Sequence, residues 1–116
     1  MMNNPQWLDY AAALNFEFVS GANVTIYPDS HELFIAGQSV RCSRTHFRLL
    51  RLLIGNFCKT VRYEHLLGID DRALQAREQN LLKVQMFYLR RLLDSHGAQL
   101  EIRNIYGTGY QARPRA

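Results

Sequence analysis

Between Phe16 and Arg41 hydrophobic and polar residues alternate with a period of about two. The segments FEFVS, NVTIYP, HELFIAG and QSVRC are rich in β-branched and aromatic residues. Gly21-Ala22-Asn23, Pro28-Asp29-Ser30 and Gly37 separate them. That pattern predicts three or four antiparallel strands joined by tight turns, since proline fixes φ and Asp can cap its own backbone. From Ser43 the period lengthens to that of a helix. Phe47, Leu50, Leu53 and Ile54 recur at helical spacing, with an N-cap at Ser43 or Arg44-Thr45 and an end at Gly55-Asn56. A shorter helix is expected over Tyr63–Leu67, turning Leu66 and Leu67 inward, and the polar stretch from Gly68 to Arg77 reads as a connector.

The longest periodic stretch is Glu78 to His96. At 100° per residue Leu82, Met86, Leu89 and Leu93 fall on one stripe, which marks a core-facing side. The opposite side collects Asn80, Val84, Phe87, Tyr88 and Arg91, flanked by Lys83 and Arg90. Gly97 can end this helix by taking the left-handed conformation. Beyond it, LEIRNIY and GYQAR predict a hairpin around Gly107-Thr108-Gly109, with both glycines free to adopt the positive φ of a narrow turn. Tyr110 is expected to pack back onto the core. Ahead of the strands, Pro5 opens a stretch in which Trp7, Leu8, Ala11 and Leu14 lie three or four apart, so residues 1–15 form an extension with room for a short helix. Residues 16–116 form the domain.

Charge changes the picture more than composition does. The chain has 116 residues, 47% of them hydrophobic, enough for one core. Residues 1–40 hold no Lys or Arg and four acids, a charge of −4; residues 41–116 hold 14 bases and six acids, a charge of +8. A basic excess of that size attracts polyanions, and nucleic acid is the commonest one in a cell. The acidic meander is not expected to touch it. Cys42 and Cys58 are expected as free thiols in a reducing cytoplasm, because no run is long and apolar enough for a secretory or membrane segment. The four histidines lack metal-ligand spacing, and no nucleophile, base and oxyanion donor come together, so neither a metal or cofactor nor an enzymatic activity is expected.

Strands, three helices with the third long and basic, then a hairpin: this order is an α+β, winged helix-turn-helix arrangement. Particular stretches sharpen it. Asp29-Ser30-His31-Glu32-Leu33 with Gly37-Gln38-Ser39-Val40 resembles the strand, turn and G-x-x-hydrophobic entry of the OmpR/PhoB-type DNA-binding domain. Thr45–Leu53 resembles that family's first helix, T-x-x-E-F-x-L-L-x-x-L, and Tyr63–Leu67 its second, R-E-x-L. Val84–Leu93 is similar to V-x-I-x-R-L-R-x-K-L, and Ile105–Tyr110 to V-R-G-x-G-Y, the most specific match. The likeness covers residues 24–112.

The resemblance implies an N-terminal antiparallel sheet, a three-helix core and a C-terminal β-hairpin wing. It also implies a transcriptional regulator of bacterial type, here without a receiver domain. The third helix (78–96) would lie in the major groove of double-stranded DNA and the wing (100–112) on backbone or minor groove. Carried over, Val84, Gln85, Phe87, Tyr88 and Arg90 fall at the groove and Asn104 and Tyr106 on the wing. From the residues themselves come Asn80, Lys83 and Arg91 on the same helix face, Arg62 beside a phosphate, and Thr108 at the wing tip with a hydroxyl to offer one. Phe87 and Tyr88 stand where the family usually has basic residues, Tyr106 where it usually has arginine, and the loop from Gly68 to Arg77 lacks the usual Trp-Gly. Two readings of the aromatic face therefore stay open: contact with thymine methyls, or a protein interface through Phe87 and Tyr88 to RNA polymerase or another regulator. Head-to-tail pairing of copies on repeated half-sites is the oligomer that the family implies.

Overall fold

The computed structural model describes residues 18–116. The short helix expected within residues 1–15 and the start of the first strand lie outside them. Four strands come first, β1 (Val19–Gly21), β2 (Val24–Tyr27), β3 (Glu32–Ile35) and β4 (Gln38–Val40), paired antiparallel in chain order. Their alternation works as the pleat requires. Val24, Ile26, Leu33, Ile35 and Val40 are buried on one face, and the register pairs Val24 with Ile35, Ile26 with Leu33, and Leu33 with Val40.

Helix α1 (Arg44–Gly55) covers the inner face of this sheet with Phe47, Leu49, Leu50, Leu53 and Ile54. Ser43 is its N-cap, and the hydroxyl accepts from the His46 N–H at 3.1 Å. A three-residue strand that the sequence pattern does not announce follows, β5 (Thr60–Arg62), and then α2 (Tyr63–Leu67). Arg62 occupies the N-cap of α2 without a capping bond, while Gly68 ends the helix in the left-handed region. Arg48 reaches across from α1, its guanidinium donating to the carbonyls of Leu66 (2.5 Å) and His65 (3.5 Å). Arg48 thus clamps the C-terminal end of a neighbouring helix.

The stretch expected as a plain connector holds a 3-10 turn, Asp71–Ala73, capped by the Asp70 carboxylate. Hydrogen bonds from Arg72 hold that carboxyl down at about 2. Helix α3 then runs over Ala76–Ser95, two residues earlier at its start than periodicity places it and one shorter at its end. The early start has a local cause: the Glu78 carboxylate accepts from the Gln75 N–H at 3.2 Å, reaching back over the first turn. Leu82, Met86, Leu89 and Leu93 are all buried, and Gly97 takes φ +75° just past the end.

The chain closes with β6 (Leu100–Ile105) and β7 (Gly109–Pro114), two residues longer than the wing predicted. Strand β5 joins this hairpin, giving a second antiparallel sheet in the order β5, β7, β6. The two glycines of the turn have different reasons. Gly107 needs its φ of +77°, whereas Gly109 lies within β7, and the positive φ expected there is absent. A Cβ on Gly109 would sit 2.7 Å from the Val61 carbonyl carbon and 2.8 Å from the Arg62 Cα. Close approach of β5, not turn geometry, is what requires glycine at this position. Asn23 links the two halves of the fold, donating to the Gly97 carbonyl at 3.1 Å and accepting from the Gln99 N–H at 2.6 Å.

Candidate nucleic-acid interface

Because Leu82, Met86, Leu89 and Leu93 bury one side of α3, geometry fixes what the other side offers. Asn80, Lys83, Val84, Phe87, Tyr88 and Arg91 are exposed there. Leu81, which periodicity did not single out, is exposed beside them. Leu81, Val84, Phe87 and Tyr88 keep 54, 51, 53 and 52% of their surface in solvent. The Phe87 and Tyr88 rings meet edge to face with centroids 5.3 Å apart, and the Arg91 guanidinium lies 5.8 Å from the Phe87 ring centre. The result is an apolar strip with cations along its border.

Two residues predicted for this face are engaged inside the protein. The Gln85 side-chain oxygen accepts from His46 Nε2 at 3.0 Å, tying α3 to the start of α1. Arg90 is half-buried: its Nε donates to the Ile102 carbonyl at 3.0 Å and its guanidinium stands 5.7 Å from the Tyr110 ring centre. This joins the middle of α3 to the base of the wing. Burial pushes the Tyr110 hydroxyl up from 10.0, with the Arg90 charge opposing the shift. Tyr110 is buried against the core, as its sequence position indicated.

Tyr63 of α2 positions the wing. Its N–H donates to the Thr108 carbonyl at 3.0 Å, its hydroxyl donates to the Asn104 side-chain oxygen at 2.8 Å, and its ring meets Tyr110 edge to face. No sequence motif marked it as part of the site; its contacts to residues 41 and 45 positions away arise only once the wing folds back. Asn104 is thus exposed yet tethered, and Thr108 is half-buried. Tyr106 projects from the hairpin with 95% of its surface exposed. Arg62 pairs in register with Gly109, which puts it beside the wing turn, and its Nε lies 2.9 Å from the Glu64 carboxylate. Its charge is therefore partly answered locally.

Cys42 and Cys58 are both free, and burial pushes the Cys42 thiol up. Among the described residues no three His, Cys, Asp or Glu side chains come together as metal ligands, and no helix is long and apolar enough to cross a membrane.

A three-helix core with a long, half-exposed third helix and a β-hairpin held against it is a winged helix-turn-helix. Residues 37–112 match the family described as "Transcriptional regulatory protein, C terminal", and the chain belongs to it, as a DNA-binding domain of OmpR/PhoB type from the transcriptional regulators. It is 30% identical over 89 residues to the probable transcriptional regulatory protein TcrX of Mycobacterium tuberculosis. That match takes in 74% of this chain and 36% of TcrX, so the chain spans about a third of that relative. Among solved structures, the DNA-binding domain of CpxR from E. coli superposes with a TM-score of 0.69 at 21% identity, covering 86% of this chain and 99% of that one. The Klebsiella pneumoniae RstA DNA-binding domain, solved in complex with the RstA box, gives 0.68 at 23% identity over 85% and 99%. At these identities the likeness establishes the fold.

Proposed function

We propose that this protein binds double-stranded DNA with α3 in the major groove and the β6–β7 wing against backbone or minor groove, and so regulates transcription. One observation carries the reading. A helix of 20 residues has one side wholly buried and the other, which carries Lys83 and Arg91, presented to solvent, and it is fixed to the wing by the Arg90 bond to Ile102. A helix of about 30 Å fits the length and width of a B-DNA major groove, which admits an α-helix. The RstA DNA-binding domain, which shares this fold, was solved in complex with the RstA box.

Within this reading Lys83 and Arg91 contact phosphates, with Arg62 and the Thr108 hydroxyl reaching the backbone from the wing side. Asn80, Val84, Phe87 and Tyr88 face the bases, and Tyr106 lies on the groove beside the wing. Asn104 and Arg90 hold the wing in place, and Gln85 holds the helix. Four half-exposed apolar side chains on α3 favour a second reading, a protein interface for another regulator or for polymerase.

Fluorescence anisotropy of a labelled duplex, titrated at several salt concentrations, separates the two. Each phosphate contact contributes a slope of about −0.9 in log K against log salt. Arg91→Ala and Lys83→Ala are each expected to flatten the wild-type slope by about that amount. Binding with a slope that neither substitution changes would remove both from the interface. Absence of duplex binding by the wild type leaves the protein-partner reading.

A further inference from the structure

From Gln85 onward the polar side chains of α3 that ordinarily recognise purines are engaged within the protein. Arginine reads guanine through two hydrogen bonds and glutamine or asparagine reads adenine likewise. Here Arg90 is held by the Ile102 carbonyl and the Tyr110 ring, Gln85 by His46, and Arg91 lies over Phe87. Apart from Arg77, Asn80 and Lys83 on the N-terminal half of the helix, the surface left to meet base edges is apolar. Leu81, Val84 and Tyr88 are spaced three and four apart and lie within an arc of roughly 60°, with Phe87 beside them. They extend over about 10 Å of helix, the length of roughly three base-pair steps.

Half of each of these side chains is in solvent, so about half of each is available for burial. A major groove holds one apolar group that could cover them, the C5-methyl of thymine. The charge around the strip suits the same occupant. Lys83 and Arg91 border it, and the acidic Asp94 at the C-terminal end of this side is paired with Arg115. A protein partner would need acidic groups around an apolar centre, whereas duplex DNA supplies phosphates on both sides of the groove by construction.

Resting on the DNA-binding reading above, we infer that the Leu81, Val84, Phe87 and Tyr88 strip reads thymine methyl groups and gives the protein a preference for T-rich major grooves. The test uses 24-base-pair duplexes of alternating d(AT), d(AU), d(GC) and d(G-5-methyl-C) at one fixed salt concentration. Uracil differs from thymine only by the missing methyl, and 5-methylcytosine adds that methyl to a different base pair. Burial of one methyl-sized group changes an equilibrium by about fourfold, so loss of two such contacts makes d(AU) bind roughly tenfold or more weaker than d(AT). Methylation of cytosine is expected to recover part of that difference over d(GC). Val84→Ala and Leu81→Ala, both at exposed positions, are expected to bring the d(AT) to d(AU) ratio toward one.

Equal affinity for d(AT) and d(AU), with salt-dependent binding to both, overturns the thymine inference and leaves DNA binding standing. A preference for d(AT) that both substitutions leave intact would also overturn it, because the methyl would then act through duplex shape. No binding to any duplex overturns the DNA reading and this inference together, and moves the strip to a protein partner.

Discussion

Gly109→Ala tests the packing of the wing against the helical core at a single atom. The added Cβ would lie 2.7 Å from the Val61 carbonyl carbon and 2.8 Å from the Arg62 Cα, and ordinary contacts begin near 3.4 Å. All three obstructing atoms, the Val61 carbonyl oxygen nearest among them, belong to the β5 backbone, so no rotamer change can relieve the clash. Strands β5 and β7 must separate around the Val61–Tyr110 and Arg62–Gly109 pairs, and β5 has only three residues to resist. Overpacking of this kind costs about 1–3 kcal/mol, and each ladder hydrogen bond weakened adds about 1 kcal/mol. We expect a total of about 3 kcal/mol, which for a domain of this size lowers Tm by roughly 12 °C or more. Gly107→Ala is the matched control: its φ is +77°, but nothing lies within 4 Å of the new Cβ. A left-handed alanine costs about 1–2 kcal/mol, so its Tm should fall by clearly less. Circular dichroism melts of the wild type and both variants decide the matter. If Gly107→Ala is as damaging as Gly109→Ala, turn conformation and not the approach of β5 governs the wing.

Arg90→Ala removes a charge-assisted bond from a half-buried guanidinium and should destabilise the fold by about 1.5 kcal/mol; in salt titrations of duplex binding its slope should stay nearer the wild type than that of Arg91→Ala. An unchanged melt with a slope flattened by a full contact would instead make Arg90 a phosphate ligand, the role its sequence position first implied. Burial raises the Tyr110 hydroxyl above 10.0, so the folded state holds that proton more tightly than the unfolded chain does. The sign follows from linkage: this contribution is whole below pH 10.0 and is lost as pH rises through the higher folded value. Urea denaturation series at alkaline pH should show stability falling from about pH 10 upward, less steeply in Tyr110→Phe; equal slopes would exclude Tyr110 as the source.

The elements that local pattern could specify were legible, and the ones it could not were set by distant partners. The Leu82, Met86, Leu89 and Leu93 stripe is buried as its spacing required, and Ser43 and Gly97 cap their helices. Strand β5 was missed because Thr60–Arg62 is too short to show alternation and is a strand only through pairing with β7, some 50 residues on. The early start of α3 was missed because Gln75 to Arg77 carries no hydrophobic period, and only the backward reach of Glu78 recruits it. In the candidate site, exposure of Val84, Phe87, Tyr88 and Tyr106 followed from helix and hairpin geometry. The engagement of Gln85 by His46 and of Arg90 by Ile102 did not, since both depend on how α3 lies against other elements. Leu81 was not singled out, although at 100° per residue it falls on the arc of Val84 and Tyr88, away from the buried stripe, and it is exposed.

The central claim, that this winged helix reads DNA sequence through α3, is tested most directly by selection from a randomised duplex library at near-physiological salt, with the bound fraction sequenced. An enriched motif of a few base pairs, rich in thymine, is expected, and the Val84→Ala and Tyr88→Ala variants should alter or lose it. Salt-sensitive retention of every sequence alike, or no retention at all, would contradict it.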